Sequence, residues 1–381
     1  MLNTRIIFPH ILEFGSGLLS KLPEEIQKQN AKRVALLTIK PLLGTLAPVV
    51  ESLHSNGIET IIDTSLELEP TFADLNRVMA VVSPFQPDLI LGIGGGTVLD
   101  VAKLVSALLN HDQSLSDIVG IGMLTSRNTK LICMPATSGT GSEVSPNAIL
   151  VDDADGQKKG IISPYLLPDV VLVDPALTCS VPPSITAATG LDAFVHCMEA
   201  YTNKFSTPFI DMFAKEGMKL IAENLLTTIQ NGSDLAAREK VALGSLYGGF
   251  CLGPVNTAAI HALAYPLGTA FHLAHGLSNA LMMPYVMEFN LKADLKKYAD
   301  VARILGVTDS GTDEEIAQAG IAKVKEWVAA CGIPTRLRDL NIPEESITTL
   351  AADALKVQRL LKNNPRPVLL EDAIEIYKSA F

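Results

Sequence analysis

Five short runs of β-branched and aliphatic residues divide the first half of the chain: RVALLTI at 33–39, ETIIDTS at 59–65, DLILGIG at 88–94, KLICMPA at 130–136 and VVLVDP at 170–175. Most are apolar on both faces, and stretches of helical periodicity separate them. That is how strands buried on both sides of a parallel sheet read. The alternation predicts a doubly wound α/β domain, with ligands at the carboxyl ends of its strands. After Asp174 and the Ser180-Val-Pro-Pro183 segment the pattern changes. Strand-like alternation gives way to helical spacing, as in AAREKVALGSLYGG, ADLKKYADVARILG and GIAKVKEWVAACG, each closed by glycine as a helix stop. The chain is therefore expected to form an α/β domain over residues 1–182 and a helical domain over 183–381.

Composition excludes several function classes. With 381 residues and 48% hydrophobic content the chain can bury a large core. Its mean hydropathy is +0.29, yet no apolar run approaches the roughly 18 to 20 residues needed to cross a bilayer. The start, MLNTRIIFPHILEFG, has no secretory signal pattern, so the cytoplasm is the expected location. A net charge of −11 without a Lys/Arg cluster argues against a nucleic-acid surface, leaving small molecules as partners. The five cysteines are odd in number, widely spaced and free of Cys-x-x-Cys pairs, which predicts reduced thiols.

Two segments carry the chemistry of the first half. GIGGGTVLDVAK, Gly92 to Lys103, follows a strand and opens a helix. Gly94, Gly95 and Gly96 let backbone amides approach a pyrophosphate at the positive end of that helix. The spacing is neither GxGxxG nor a Walker loop. Asp100 and Lys103 follow the glycines, either orienting this loop or forming a solvated pair. Pro135 to Glu143, PATSGTGSE, supplies hydroxyls at the end of a neighbouring strand.

In the second half, Asp192 and His196 stand four apart in GLDAFVHCMEAY and share one helix face. His261 opens HALAYPLG, and His275 lies in FHLAHG fourteen positions later. Three imidazoles and a carboxylate suit Fe2+, Zn2+, Mn2+ or Co2+ rather than Ca2+ or Mg2+.

FPHILEFGSG, GIGGGTVLDVAK, PATSGTGSEVS, VLVDPALTCSVPPSITAATGLDAFVHCMEAYTN and HALAYPLGTAFHLAHGLSNALMMPY together resemble the iron-containing (group III) alcohol dehydrogenase family over nearly the whole chain. The resemblance implies a dehydroquinate synthase-like fold: a Rossmann-like domain binding NAD or NADP, a helical metal-binding domain, and a substrate cleft between them. It implies Asp192, His196, His261 and His275 as metal ligands. It assigns cofactor binding to Gly94, Gly95, Gly96, Thr97, Asp100, Thr137, Ser138, Thr140, Ile39, Lys159 and Leu177. The implied reaction interconverts a small primary alcohol or diol with its aldehyde, a divalent metal acting as Lewis acid and a nicotinamide exchanging hydride. The resemblance also implies a homodimer through the first strand, here RIIFPHILEFG, or a larger homo-oligomer, since some members assemble further.

His272, three residues before His275, is the candidate for moving the alcohol proton to solvent. Tyr265 stands where many members carry a further histidine, and is expected beside the nicotinamide. Leu252 opens Leu-Gly-Pro where Phe-x-Asn is common, which reshapes the substrate pocket. Asn147 matches a position facing substrate. Ile39 replaces an aspartate that disfavours a 2′-phosphate, so NADP stays open, with Lys40 adjacent. Two alternatives share the plan: a reductase of a carboxylate-bearing carbonyl, and a dehydroquinate synthase-like lyase. The lyase needs several basic residues, and HALAYPLGTAFHLAHG is lean in them.

Overall fold

All five apolar runs form strands in the computed structural model, which describes residues 3–67, 69–308 and 310–381. They are β2 (Arg33–Leu37), β3 (Glu59–Asp63), β4 (Leu89–Gly94), β6 (Lys130–Pro135) and β9 (Val170–Val173). A sixth strand, β1 (Ile11–Phe14), joins at the edge, and the sheet runs β1-β9-β6-β4-β2-β3 with every pair parallel. β4 is central: Leu91 lies beside Leu36 on β2 and Ile132 on β6. Alternate residues feed two cores. Ala35, Leu37, Ile90, Leu131 and Cys133 enter one, while Val34, Leu36, Leu89, Leu91, Ile132 and Leu172 enter the other. Burial on both faces is why β2, β4, β6 and β9 show no polar alternation, while β3, at the edge, is partly exposed and carries Glu59 and Asp63.

A second sheet was not legible in the sequence. β5 (Gly120–Ile121), β7 (Asn147–Asp152) and β8 (Gln157–Ile162) line up as β5-β8-β7, with β7 and β8 antiparallel. Polar residues at the β7–β8 turn, Asp152 to Lys159, mask the strand signal. Gly156, at φ +67°, lets its N–H reach back 2.8 Å to the Asp152 carbonyl.

The chain divides into two compact units. One comprises Ile7–Thr137 with Gly141–Cys179; the other comprises Ser180–Phe381 with the N-terminal residues through Ile6 and the Ser138–Thr140 segment. In the second unit the helices include Pro183–Thr202, Pro208–Gln230, Leu235–Leu252, Ala259–Phe271, His275–Asn290, Leu295–Ile304 and Asp313–Ala330. The Pro183–Thr202 helix is the centre: every residue from Gly190 to Thr202 is buried. Gly306 and Gly332, both at positive φ, end their helices as the sequence predicts. The glycines of AAREKVALGSLYGG do not, because that helix runs through Gly248 and Gly249 to Leu252. There the missing side chain serves packing: a Cβ on Gly248 would stand 3.3 Å from the His196 Cβ. Among the described residues, no helix is long and apolar enough to cross a membrane.

Candidate metal and dinucleotide sites

Asp192 and His196 project from one face of the buried Pro183–Thr202 helix, His261 from the first turn of Ala259–Phe271, and His275 from the first position of His275–Asn290. One ligand atom from each lies within 4.8 Å of the others. Asp192 Oδ1 is 3.6 Å from His261 Nε2 and 3.7 Å from His275 Nε2, and Asp192 Oδ2 is 3.9 Å from His196 Nε2. Donors about 2.1 Å from a common ion stand roughly 3 to 4 Å apart, so these residues fit a single transition-metal ion. The rings are held in mutual contact, His196 stacked on His261 at 4.8 Å and His261 tilted against His275 at 5.2 Å.

The surroundings orient each ligand. His196 Nδ1 is 3.2 Å from the Gly139 carbonyl. Asn279 donates its Nδ2 to Asp192 Oδ1 at 2.6 Å. Glu199, one turn beyond His196, lies with its Oε2 2.6 Å from His261 Nδ1 and accepts from the Ile260 backbone N–H at 2.6 Å. Burial pushes the Glu199 carboxyl up to about 7, opposed by backbone donors at Ala258 and Ile260. Gly276 decides how closely His275 approaches: a Cβ there would fall 2.2 Å from the Ala188 carbonyl oxygen. Any side chain at position 276 would push the two helices apart. Sequence reasoning passed over Glu199 and Asn279. The signal was present in their spacing, since Glu199 is seven residues from Asp192 and Asn279 four from His275, each on its ligand's own face.

In the α/β unit, β4 runs directly into the helix Gly96–Leu108. Among the described residues no side chain caps that helix, and Gly95, Gly96 and Thr97 are only half-buried, so its first N–H groups face outward. An anion-binding turn needs that arrangement. Gly94 cannot carry a side chain, since its Cβ would meet Val98 Cγ2 at 2.7 Å. Thr137, half-buried, lies next to the turn, with its Oγ1 3.4 Å from where a Gly95 Cβ would be. Together these atoms fit the pyrophosphate of a dinucleotide.

Asp100 and Lys103 are not a solvated pair. Lys103 is fully buried and donates to Ser142 Oγ at 2.8 Å and to the Asn147 carbonyl at 2.7 Å. Ser142 Oγ in turn donates to Asp100 Oδ1 at 2.5 Å, and the Ile149 N–H donates to Asp100 Oδ2 at 2.9 Å. Burial raises the Asp100 carboxyl and lowers the Lys103 ammonium, and their mutual attraction opposes both shifts. The pair ties the glycine-turn helix to the Thr/Ser loop and β7.

The remaining candidates are distributed as follows. Ser138 and Thr140 are half-buried and flank Gly139 in the segment that belongs to the helical unit. Asn147 begins β7, and its buried Oδ1 has no hydrogen-bond partner among the described residues. Ile39 follows β2 and packs partly buried against both α/β cores, while Lys40 pairs with Glu67 at 2.7 Å on the surface. Lys159, on β8, pairs with Asp155 at 2.5 Å. Leu177 is buried in the core on one face of the large sheet. In the helical unit, Tyr265 is one turn from His261, and its ring centre is 5.9 Å from that of His275. His272 is exposed at a left-handed position, φ 55°, capping the helix that carries His261. Leu252 is buried at the end of its helix. Five free cysteines complete the inventory, four of them buried.

Residues 9–175 match the family described as iron-containing alcohol dehydrogenase, and residues 186–381 match the Fe-containing alcohol dehydrogenase family, C-terminal. Long-chain-alcohol dehydrogenase 1 of Geobacillus thermodenitrificans is 38% identical, covering 99% of this chain and 96% of its own length. The crystal structure of a 1,3-propanediol oxidoreductase superposes with a TM-score of 0.95 at 32% identity, over 100% of both chains. Sulfoacetaldehyde reductase from Bifidobacterium kashiwanohense, solved in complex with NAD+, superposes with a TM-score of 0.88 at 25% identity, covering 100% of this chain and 99% of its own. With both units matched and the whole length related to one group of oxidoreductases, the chain belongs to the iron-containing alcohol dehydrogenase family.

Proposed function

We propose that this enzyme interconverts a primary alcohol or diol with its aldehyde, using NAD or NADP and one divalent metal held by Asp192, His196, His261 and His275. The observation that carries this is the convergence of those four donors within 4.8 Å, three of the four residues buried. When bound, the ion supplies Lewis acidity that lowers the pKa of an alcohol oxygen, and the nicotinamide exchanges hydride with the adjoining carbon. The chain's own residues prepare the site. Asn279 and Glu199 orient Asp192 and His261. Tyr265 lies beside His275 and walls that side with an aromatic ring. His272, exposed and three residues before the last ligand, takes the role of passing a proton to solvent. Asn147 offers its buried Oδ1 to a hydroxyl.

The uncapped N-terminus at Gly95 to Thr97 would take the pyrophosphate. Ile39 brings no carboxylate to the end of β2, so a 2′-phosphate meets no repulsion there. Support for a small diol comes from relatives named for 1,3-propanediol, and support for a primary alcohol from one named for a long-chain alcohol. The reading also gives the chain a cytoplasmic location, supported by its free thiols, and a homodimer through the edge strand β1, beside which Ile7 and Phe8 are exposed.

The test is a screen of reduced-cofactor formation over primary alcohols and diols, with Fe2+ and Zn2+ supplied separately and NAD and NADP each tried. Metal-dependent turnover of at least one alcohol, with both nicotinamides used, is the expected result. Turnover indifferent to chelation would overturn the metal assignment, and strict use of NAD would overturn the reading of Ile39.

A further inference from the structure

We infer that Glu199 sets the tautomer of His261 and thereby makes its Nε2 a metal donor. This inference rests on the proposed metal site. The geometry is specific. Glu199 is buried, and its two carboxylate oxygens have separate tasks: Oε1 accepts from the Ile260 N–H and Oε2 lies 2.6 Å from His261 Nδ1. The Ile260 amide has only a proton to offer, so Oε1 must accept. In the ionised form of Glu199 the second oxygen also accepts, which places the ring proton on Nδ1. Nε2 is then left with its lone pair, on the side where Asp192 Oδ1 lies 3.6 Å away. A neutral imidazole has one donor and one acceptor nitrogen, and only the acceptor coordinates a metal.

Glu199 also spans two elements. It stands on the Pro183–Thr202 helix with Asp192 and His196, and it holds the backbone at the start of the Ala259–Phe271 helix, where His261 sits. One side chain therefore fixes both the position of the third ligand and the direction in which it donates. Glu199 is a positioning residue, acting through His261.

Glu199→Gln separates these tasks because it keeps size and shape. The Gln amide has one oxygen and one NH2. Its oxygen must stay on the Ile260 N–H, since the flipped amide would set NH2 against N–H. The NH2 then faces His261 Nδ1, which must turn acceptor, and the ring proton moves to Nε2, where the metal would bind. Packing and the number of hydrogen bonds are preserved while the donor is lost.

Two measurements on the full-length protein, made above pH 7 where Glu199 is ionised, test this. Competition with a chromophoric chelator gives the Zn2+ affinity, and two-bond 1H–15N spectra of histidine-labelled, metal-free protein give the tautomers, with His261→Ala identifying the resonances. The variant should bind Zn2+ about 10- to 100-fold more weakly, a loss of the size usual for partners of metal ligands, with the metal-free melting temperature unchanged. His261 should carry its proton on Nδ1 in the wild type and on Nε2 in the variant. Wild-type affinity in Glu199→Gln overturns the inference, as does weakened binding without a change of tautomer. An Nε2–H tautomer in the wild type overturns it even if the variant does not fold. If the wild type binds no Zn2+ at all, the metal site itself is refuted, an outcome distinct from each of these.

Discussion

The molecule contains two buried polar clusters, one in each unit, and they are built on opposite principles. In the α/β unit, Lys103, Asp100 and Ser142 close on one another: one ammonium and one carboxylate are bridged by a hydroxyl, and backbone groups of Asn147 and Ile149 take up the rest. In the helical unit, two carboxylates and three imidazoles are collected with no lysine or arginine among them, and ring nitrogens face Asp192 from three sides. The first cluster balances its own charge. The second has an excess of acceptors that a cation would balance. Burial costs both heavily unless their groups are partnered, so a self-closed cluster signals architecture and an acceptor-rich one signals a missing positive charge.

The sharpest way to break this contrast is to remove one member from each. His261→Ala should abolish metal binding and lower turnover by roughly 100-fold or more. Metal content by elemental analysis decides it, and retained metal would mean the four-residue shell is wrong. Lys103→Met should do the reverse. It strands the Asp100 carboxylate in the interior and should cost about 3 kcal/mol in urea unfolding, with metal content intact. Unchanged stability would show that the cluster is not architectural.

Within the helical unit, His272→Ala should keep the metal and slow turnover by about tenfold, below the usual range for general acid–base catalysis because water reaches the exposed site. Loss of metal would move His272 into the ligand shell. The smallest effect concerns Glu143, buried beside the Lys103 cluster, whose carboxyl burial raises from the ordinary 4.5 to about 7. The folded protein holds that proton between pH 4.5 and 7 while the unfolded chain releases it. Its contribution to stability is therefore full below the lower value and is lost as pH rises through the upper one. Glu143→Gln does not titrate, so the variant's melting temperature should gain on the wild type from pH 5 to about 7.5. A constant difference across that range would show that Glu143 is not held neutral.

Much of this was legible in the chain itself. The strand runs declared the parallel sheet because burial on both faces leaves the central strands nearly all apolar, and Gly306 and Gly332 ended their helices as local rules require. Asp192 and His196 could be paired because one turn of helix puts them on one face. The β7–β8 sheet escaped notice because half its pattern is a polar turn, and Gly248 misled because a helix packed closely enough overrides the local stop.

Sequence alone determined which residue types were available, and the local periods determined which of them shared a face. It could not decide that Lys103 is buried, since a lysine after a glycine turn looks the same on a wet face as on a dry one. Nor could it show that Glu199 reaches across 61 positions to Ile260 and 62 to His261. Those contacts depend on how far one helix is displaced along another, a quantity set by packing at places such as Gly276 and Ala188. Local spacing carries information over a few turns of backbone, whereas the direction in which an imidazole donates is decided by whatever the fold brings to its other nitrogen.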